Sequence, residues 1–224
     1  MIHPLDNPVW SALTSGNQAF ALGNDQAKYY PPLIAPFVAV AEPTRVHFEA
    51  LRDTIPYDQP VAMFTQESQL DPSPWVLVNR IDGFQMLFEG PTPEGQEAGV
   101  KLTDNDIHQM LALTKLSPPG PFLSRTIELG GYEGIFAGDQ LVAMAGRRFD
   151  SGAHVEISAV CTHPNHTGKG YARRLIDSQI RQIRAEGKLP YLHVRADNSR
   201  AHSIYEQMGF VTRSEMVIYI LAKR

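Results

Sequence analysis

Asn165-His166-Thr167-Gly168-Lys169-Gly170-Tyr171-Ala172 stands where an apolar, β-branched run ends and an amphipathic helical pattern begins, and this junction limits the possible folds most sharply. Upstream, residues 154–162 read as a strand closed by Pro164. Downstream, Ala172, Leu175, Ile176, Gln179, Ile180 and Ile183 recur on one helical face, with arginines opposite and Gly187 as the stop. Residues 190–196 then read as a second strand, so the segment is a strand–turn–helix–parallel strand crossover, expected to be right-handed. At the start of such a helix consecutive backbone N–H groups converge with the partial positive charge of the helix end, which makes an anion site. Gly168, Gly170 and the small Ala172 let a pyrophosphate approach the main chain closely. Two nucleotide templates fail here. A Walker loop needs Gly at 163 and Ser or Thr at 170, where His163 and Gly170 stand; a dinucleotide fingerprint beginning at Gly168 needs a small residue at 173, where Arg173 stands.

The remaining pattern surrounds that crossover. Glu89-Gly90-Pro91-Thr92-Pro93-Glu94-Gly95 has the texture of a linker, which predicts an N-terminal α/β domain over residues 1–90, a linker over 91–99 and a second domain over 100–224. The first part predicts helices near residues 9–20 and 45–52 and strands at 61–64, 75–78 and 84–88, the last two hairpin-like. In the second, a short strand at 100–103 leads to a helix carrying Ile107, Met110, Leu111 and Leu113, and Ser117-Pro118-Pro119-Gly120-Pro121 breaks the chain. Helical turns are expected within residues 122–129. Strands at 132–137 and 140–148 flank the turn Gly138-Asp139, and Ser151-Gly152 leads into the third strand. A helix over 198–208 carries the stripe Ala201, Ile204, Tyr205, Met208, and residues 210–221 supply the final strands.

Taken in order, Glu156-Ile157-Ser158-Ala159-Val160-Cys161-Thr162-His163-Pro164, Gly168-Lys169-Gly170-Tyr171-Ala172, and Asn198 through Tyr205 to Met208-Gly209-Phe210 resemble the GNAT superfamily of N-acyltransferases. The resemblance spans about residues 100 to 221 and is nearest the branch that includes glycine N-acyltransferase-like C-terminal domains. It implies an α/β (α+β) fold, a mixed and mostly antiparallel sheet with a splayed parallel pair flanked by helices, here preceded by the smaller N-terminal α/β domain. The first part is then open to being a degenerate GNAT-like fold. The superfamily writes the turn Gln/Arg-x-x-Gly-x-Gly/Ala, and Thr167 is a departure from it. The loop's N–H donors do not depend on that side chain.

Cys161, His163 and His166 are too few ligands at the spacings zinc modules use, so no metal is expected; the resemblance further implies acetyl-coenzyme A as co-substrate. Main chain at Val160, Cys161 and Thr162, freed by a bulge, would pair with the pantetheine arm and supply an oxyanion donor. The turn Gly168, Lys169, Gly170, Tyr171, Ala172 and Arg173 would hold the pyrophosphate, and Asn198 would touch the cofactor while capping its helix. Tyr205 would protonate the leaving thiolate. Glu156 matches the position of a catalytic glutamate, and it is open to two readings: general base, or strand carboxylate paired with Arg147 or Arg148. An amine nucleophile has to be neutral, which at pH 7 costs about 4.6 kcal/mol for a lysine-like amine of pKa ~10.4 but only ~1.4 kcal/mol for an α-amine near 8. The expected reaction moves an acetyl group to a primary amine of a small molecule or peptide, in a ternary complex. The alternative is a GNAT-fold module that binds coenzyme A without turnover.

Composition removes other classes. With 20 Lys and Arg against 24 Asp and Glu and a net charge of -4, the chain lacks the basic footprint of nucleic-acid binding. Its one cysteine, Cys161, permits no internal disulfide or cysteine-rich zinc module and suits a reducing compartment, so the cytoplasm is expected. No secretory signal is legible at Met1-Ile2-His3-Pro4-Leu5-Asp6, and the longest apolar run, residues 33–41, is broken by Pro36 far short of the ~20 residues that span a bilayer. A homodimer is left open.

Overall fold

The structure, a computed structural model, describes residues 3–95 and 98–224. Gln96 and Glu97 of the expected linker, and Met1 and Ile2 of the N-terminus, lie outside the described residues. In chain order the elements are α1 Pro8–Leu13, β1 Leu22–Gly23, β2 Ala27–Tyr29, β3 Phe37–Val40, α2 Arg45–Thr54, β4 Val61–Thr65, β5 Val76–Phe88 and β6 Val100–Lys101. They continue with α3 Ile107–Leu116, β7 Glu133–Ala137, β8 Gln140–Asp150, β9 His154–Thr162, α4 Tyr171–Ala185, β10 Leu189–Arg195, α5 Ser199–Gln207 and β11 Phe210–Ala222. Short 3₁₀ turns cover Gln18–Phe20, Asp104–Asp106 and Thr126–Leu129.

All strands join one sheet, ordered β1-β2-β3-β4-β11-β5-β10-β9-β8-β7-β6. Pairing is antiparallel except for β9/β10 and β3/β4. The mixed, mostly antiparallel sheet expected from the sequence is therefore present. Residues 91–99 join two strands of this one sheet, since β5, from before that segment, lies between β10 and β11.

Three elements differ from the sequence reading. Residues 9–20 were expected as one helix, but α1 stops at Leu13: the Thr14 hydroxyl turns back onto the Trp10 carbonyl, and Gly16 passes so near Asp150 that a Cβ there would meet its carboxyl carbon at 2.2 Å. The hairpin-like pair at 75–78 and 84–88 is the single strand β5. Asp82-Gly83 is not a turn; Gly83 pairs with Arg195, and a Cβ on it would lie 2.7 Å from the Val194 carbonyl oxygen. Likewise residues 210–221 form one long strand, β11, whose register shifts at Thr212/Ser214 and Ile220/Leu221 keep it paired along β5. Because the atom facing Gly83 is backbone, no rotamer change relieves the clash. Gly83→Ala is expected to cost about 1–3 kcal/mol in chemical denaturation; wild-type stability would mean that β5 and β10 separate freely.

The sheet is covered on both faces. On one, α4 buries Leu175, Ile176, Ile180 and Ile183 against β8, β9 and β10, each side chain contributing roughly 1.5–3 kcal/mol. Gly187 at φ +73° lets the chain reverse after this helix. On the other face α1 packs Val9, Ala12 and Leu13 with Phe37, Phe64, Phe149 and Tyr191. The alternation of β10 divides it between these cores: Leu192 and Val194 join the α4 side, while Tyr191 and His193 point to the α1 side. That division places a histidine among the aromatic rings of the N-terminal half.

Candidate active site

β9 and β10 pair in parallel only through Leu189↔His154, Pro190↔Val155 and Tyr191↔Glu156, and then part. The cause is a bulge in β9. Its partners in β8 step from Gly146↔Ser158 to Met144↔Cys161, so one residue is extra, and Ala159 carries the strain at φ +53°, a conformation non-glycine residues avoid. The bulge also reverses which way side chains point. Ile157 packs with Ile176 and Ile180 of α4, whereas Ala159 and Cys161 pack with Met110 and Leu113 of α3. Beyond the bulge, the β9 edge facing β10 at Val160, Cys161 and Thr162 has no strand partner among the described residues. Cys161 is buried, and that burial pushes its thiol up to about 12, so it is not a thiolate nucleophile at neutral pH.

The turn that follows has the form expected of it. Gly168 and Gly170 adopt φ +77° and +74°, and Gly170 is the residue preceding α4. Both glycines face open space, so positive φ rather than crowding calls for glycine. The N–H groups of residues 168–173 make no hydrogen bond to the described residues, and the first backbone bond of α4 is Arg174 N–H to the Gly170 carbonyl. Thr167 does not stand in the way: its hydroxyl donates to the Pro164 carbonyl at 3.1 Å. Lys169 rests by its Nζ near His166 Nδ1, and Arg173 is exposed, with Asp177 only at 4.0 Å. A row of free N–H donors at the start of a fifteen-residue helix fits a pyrophosphate, and the splayed strand edge beside it fits an arm with amide groups.

Asn198 caps α5, its Oδ1 accepting from Ala201 N–H at 3.1 Å, and is also part of the cavity wall. Tyr205, about two helical turns further along, packs its ring edge-on against Phe210 at 5.9 Å. Burial raises its pKa above the ordinary 10, so the phenol is a proton donor throughout neutral pH. Tyr205, Asn198, Val160 and Val194 share one cavity of about 520 Å³. That cavity continues through the strand gap to Phe37, Ala62 and Phe64 of the N-terminal half, and Pro118, Pro119 and Pro121 form part of its wall.

Glu156 lies on the far side of the gap and is 1% exposed. Of its two readings, the paired one is what the geometry shows. Arg148 grips both carboxylate oxygens, Nε to Oε2 at 2.7 Å and Nη2 to Oε1, and His193 Nδ1 lies 2.7 Å from Oε1. Burial alone would raise the carboxyl's pKa, but Arg148 and His193 overcome it and hold it at about 2. Burial likewise opposes the charge on Arg148, and Glu156 restores it, raising the guanidinium above its ordinary value. Phe37, Phe64 and Phe149 surround that guanidinium at 5.0, 5.0 and 4.7 Å from their ring centres. The Gln85 amide is oriented by Leu5 O and Arg213, so its nitrogen donates to His193 Nε2, and His193 carries its proton on Nδ1, toward Glu156.

His193, Arg148 and the two phenylalanines escaped the sequence reading as site residues. Arg148 was visible only as a partner for Glu156. His193 gave one signal, a polar residue inside the otherwise apolar strand Tyr191-Leu192-His193-Val194. Among the described residues no group of three His, Cys, Asp or Glu is placed to hold a metal ion, and no helix is long and apolar enough to cross a membrane.

Residues 132–218 match the family described as FR47-like protein. A solved structure of a GNAT-family protein from Novosphingobium aromaticivorans DSM 12444 superposes with a TM-score of 0.92 at 31% identity, over 100% of both chains. The chain belongs to the GNAT family. A GCN5-related N-acetyltransferase from Kribbella flavida shares the fold, with a TM-score of 0.64 at 16% identity over 94% of this chain and 93% of that one. The L-amino acid N-acyltransferase MnaT of Escherichia coli (strain K12) is 31% identical over 71 residues, 31% of this chain and 41% of the relative, so the match spans less than half of that protein. Within the GNAT family, this chain has a fold with an additional N-terminal part that contributes five strands to the sheet.

Proposed function

We propose that the protein transfers an acetyl group from acetyl-coenzyme A to the α-amine of a small molecule. The observation that carries this reading is the cavity that joins the open β9/β10 edge at Val160 and Val194 to the Tyr205 phenol, with β9 running on into the turn whose N–H donors at 168–173 are free. Coenzyme A, when bound, supplies an acyl thioester. Residues 168–173 would hold its pyrophosphate and Val160 to Thr162 its arm, with an N–H of that stretch facing the charge that develops on the carbonyl oxygen. In the transfer the N–C bond would form as the C–S bond breaks, Tyr205 would give its proton to the departing sulfur, and the proton that the amine gives up would pass through water to restore the phenol. Asn198 would fix the arm at the start of α5.

Glu156 is, in this reading, a structural anion for Arg148 and not the base. With its carboxyl near 2 and both oxygens occupied, it has no affinity for an amine proton at neutral pH. The amine then has to arrive neutral, which favours an α-amine of pKa near 8 over a lysine-like amine by about 3.2 kcal/mol, an advantage that an adjacent carboxylate reduces by raising that pKa. The name of the MnaT relative, an L-amino acid N-acyltransferase, supports the same acceptor. The motif order from Glu156 to Phe210 supports a place near the glycine N-acyltransferase-like branch, and the single buried thiol supports a cytoplasmic setting.

Thiol release from acetyl-coenzyme A over a panel of amines tests the reading. Turnover is expected with α-amines at neutral pH, and for those of pKa near 8 it should lie roughly 10²-fold above side-chain-type amines of otherwise similar shape. Tight coenzyme A binding without thiol release on any amine would instead establish a non-catalytic binding module.

A further inference from the structure

The acceptor end of the cavity is apolar, bounded by Phe37, Ala62, Phe64, Met216 and Ile218, yet Arg148 is set into it. A guanidinium has two edges that can take a carboxylate. Glu156 occupies the Nε/Nη2 edge. The Nη1/Nη2 end is different: Nη1 makes no hydrogen bond to the described residues and is not among the buried atoms left without a partner, and Arg148 forms part of the cavity wall. The group is also held still. Three phenylalanine rings surround it and Glu156 fixes its tilt, so its donors are oriented before anything binds. The other charged groups on the cavity wall are already matched and lie at its mouth: Arg195 with Asp197, and Asp82 with Arg80, both pairs more than a third exposed. His193, the remaining polar group at the acceptor end, has both ring nitrogens engaged, by Glu156 and Gln85.

We propose that the free end of Arg148 anchors the carboxylate of the acceptor, and that the acceptors are therefore apolar α-amino acids. This rests on the acyl-transfer reading above and adds the substrate class and its specificity residue. The carboxylate is recognised by a planar fork, and the side chain is left to the phenylalanine and aliphatic wall. Arg148 binds and orients; it takes no part in moving protons.

The test uses the wild-type protein and acetyl-coenzyme A with leucine, leucinamide and 3-methylbutylamine. Leucinamide is the decisive comparison, because its amine is more readily neutral than that of leucine while its carboxylate is gone. Nucleophile availability alone would favour the amide. The expected result is a kcat/KM for leucine about 10- to 100-fold above that for leucinamide, carried mainly by KM, as a charge-assisted hydrogen-bond pair would give. Equal or better turnover of leucinamide, with acyl transfer otherwise intact, would overturn the assignment of Arg148. Absence of thiol release with all three, despite coenzyme A binding, would overturn the acyl-transfer reading itself. Arg148→Lys gives the second measurement: it keeps a cation for Glu156 but removes the fork, and the leucine-to-leucinamide ratio should collapse through the KM for leucine. A folded Arg148→Lys protein that keeps the full ratio would place the carboxylate elsewhere.

Discussion

Glu156→Ala is expected to lower stability by about 3–5 kcal/mol, because it leaves the Arg148 guanidinium buried with no counterion. For a chain of this size that corresponds to a drop in melting temperature of roughly 6–20 °C. Burying one charge without its partner costs several kcal/mol even after relaxation, and the aromatic rings around Arg148 offset only a small part of that. The double variant Arg148→Met/Glu156→Leu removes both charges together. It is expected to be more stable than either single change, a large coupling term in a double-mutant cycle. A general-base role predicts something else: near-normal stability for Glu156→Ala and a fall in kcat alone. Thermal unfolding beside steady-state kinetics separates the two, and a Glu156→Ala protein as stable as wild type would refute the paired-anion role. The pH dependence agrees in sign. A carboxyl moved from 4.5 down to about 2 on folding contributes stability that is complete above 4.5 and is lost as pH falls toward 2. Glu156 therefore adds an acid-unfolding component and no ionisation in the neutral range where activity is assayed.

The outcome at Glu156 shows which kinds of information a sequence carries. Local features were legible because they depend on neighbours in the chain: the Gly168/Gly170 turn, the amphipathic face of α4, the Asn198 cap and the strand before Pro164 all stand where the pattern puts them, while the bulge in that strand was implied by the family resemblance alone. Long-range pairing was not. Nothing in Val76–Phe88 announces that it fits between β10 and β11, since an apolar strand is compatible with many partners, and Gly83 looks like a turn glycine unless the Val194 carbonyl across from it is known. The same is true of the site. The side proposed for coenzyme A was readable because main-chain geometry makes it, and main-chain geometry follows local sequence. The side proposed for the acceptor is lined by Arg148, His193, Phe37 and Phe64, brought from four strands separated in sequence, and no spacing rule connects them. Short strands such as Leu22–Gly23 and Ala27–Tyr29 were missed because two or three residues show no period.

Tyr205→Phe should lower kcat by about 10²-fold while leaving coenzyme A affinity and stability close to wild type. The ring is what holds α5 to the sheet, through Phe210 and the cluster around Met208, and phenylalanine keeps it. Only the hydroxyl is lost, and no hydrogen bond of that hydroxyl to a described residue is broken with it. General acids contribute about 10²–10⁴-fold, and the lower end is expected because a thiolate, with a thiol pKa of about 8.5, is a far better leaving group than an alkoxide or amide ion. The defect should accordingly shrink as the pH is raised past about 8.5, where the departing sulfur no longer gains from a proton. In the wild type the burial-raised phenol stays protonated over that whole interval, so its own ionisation does not blur the comparison. A core role for the ring predicts a different pattern, with kcat, coenzyme A affinity and melting temperature falling together. Were Tyr205→Phe to turn over at the wild-type rate near pH 7, the proton would have to reach sulfur from water through the cavity mouth at Arg195 and Asn198, and Tyr205 would keep only its packing role.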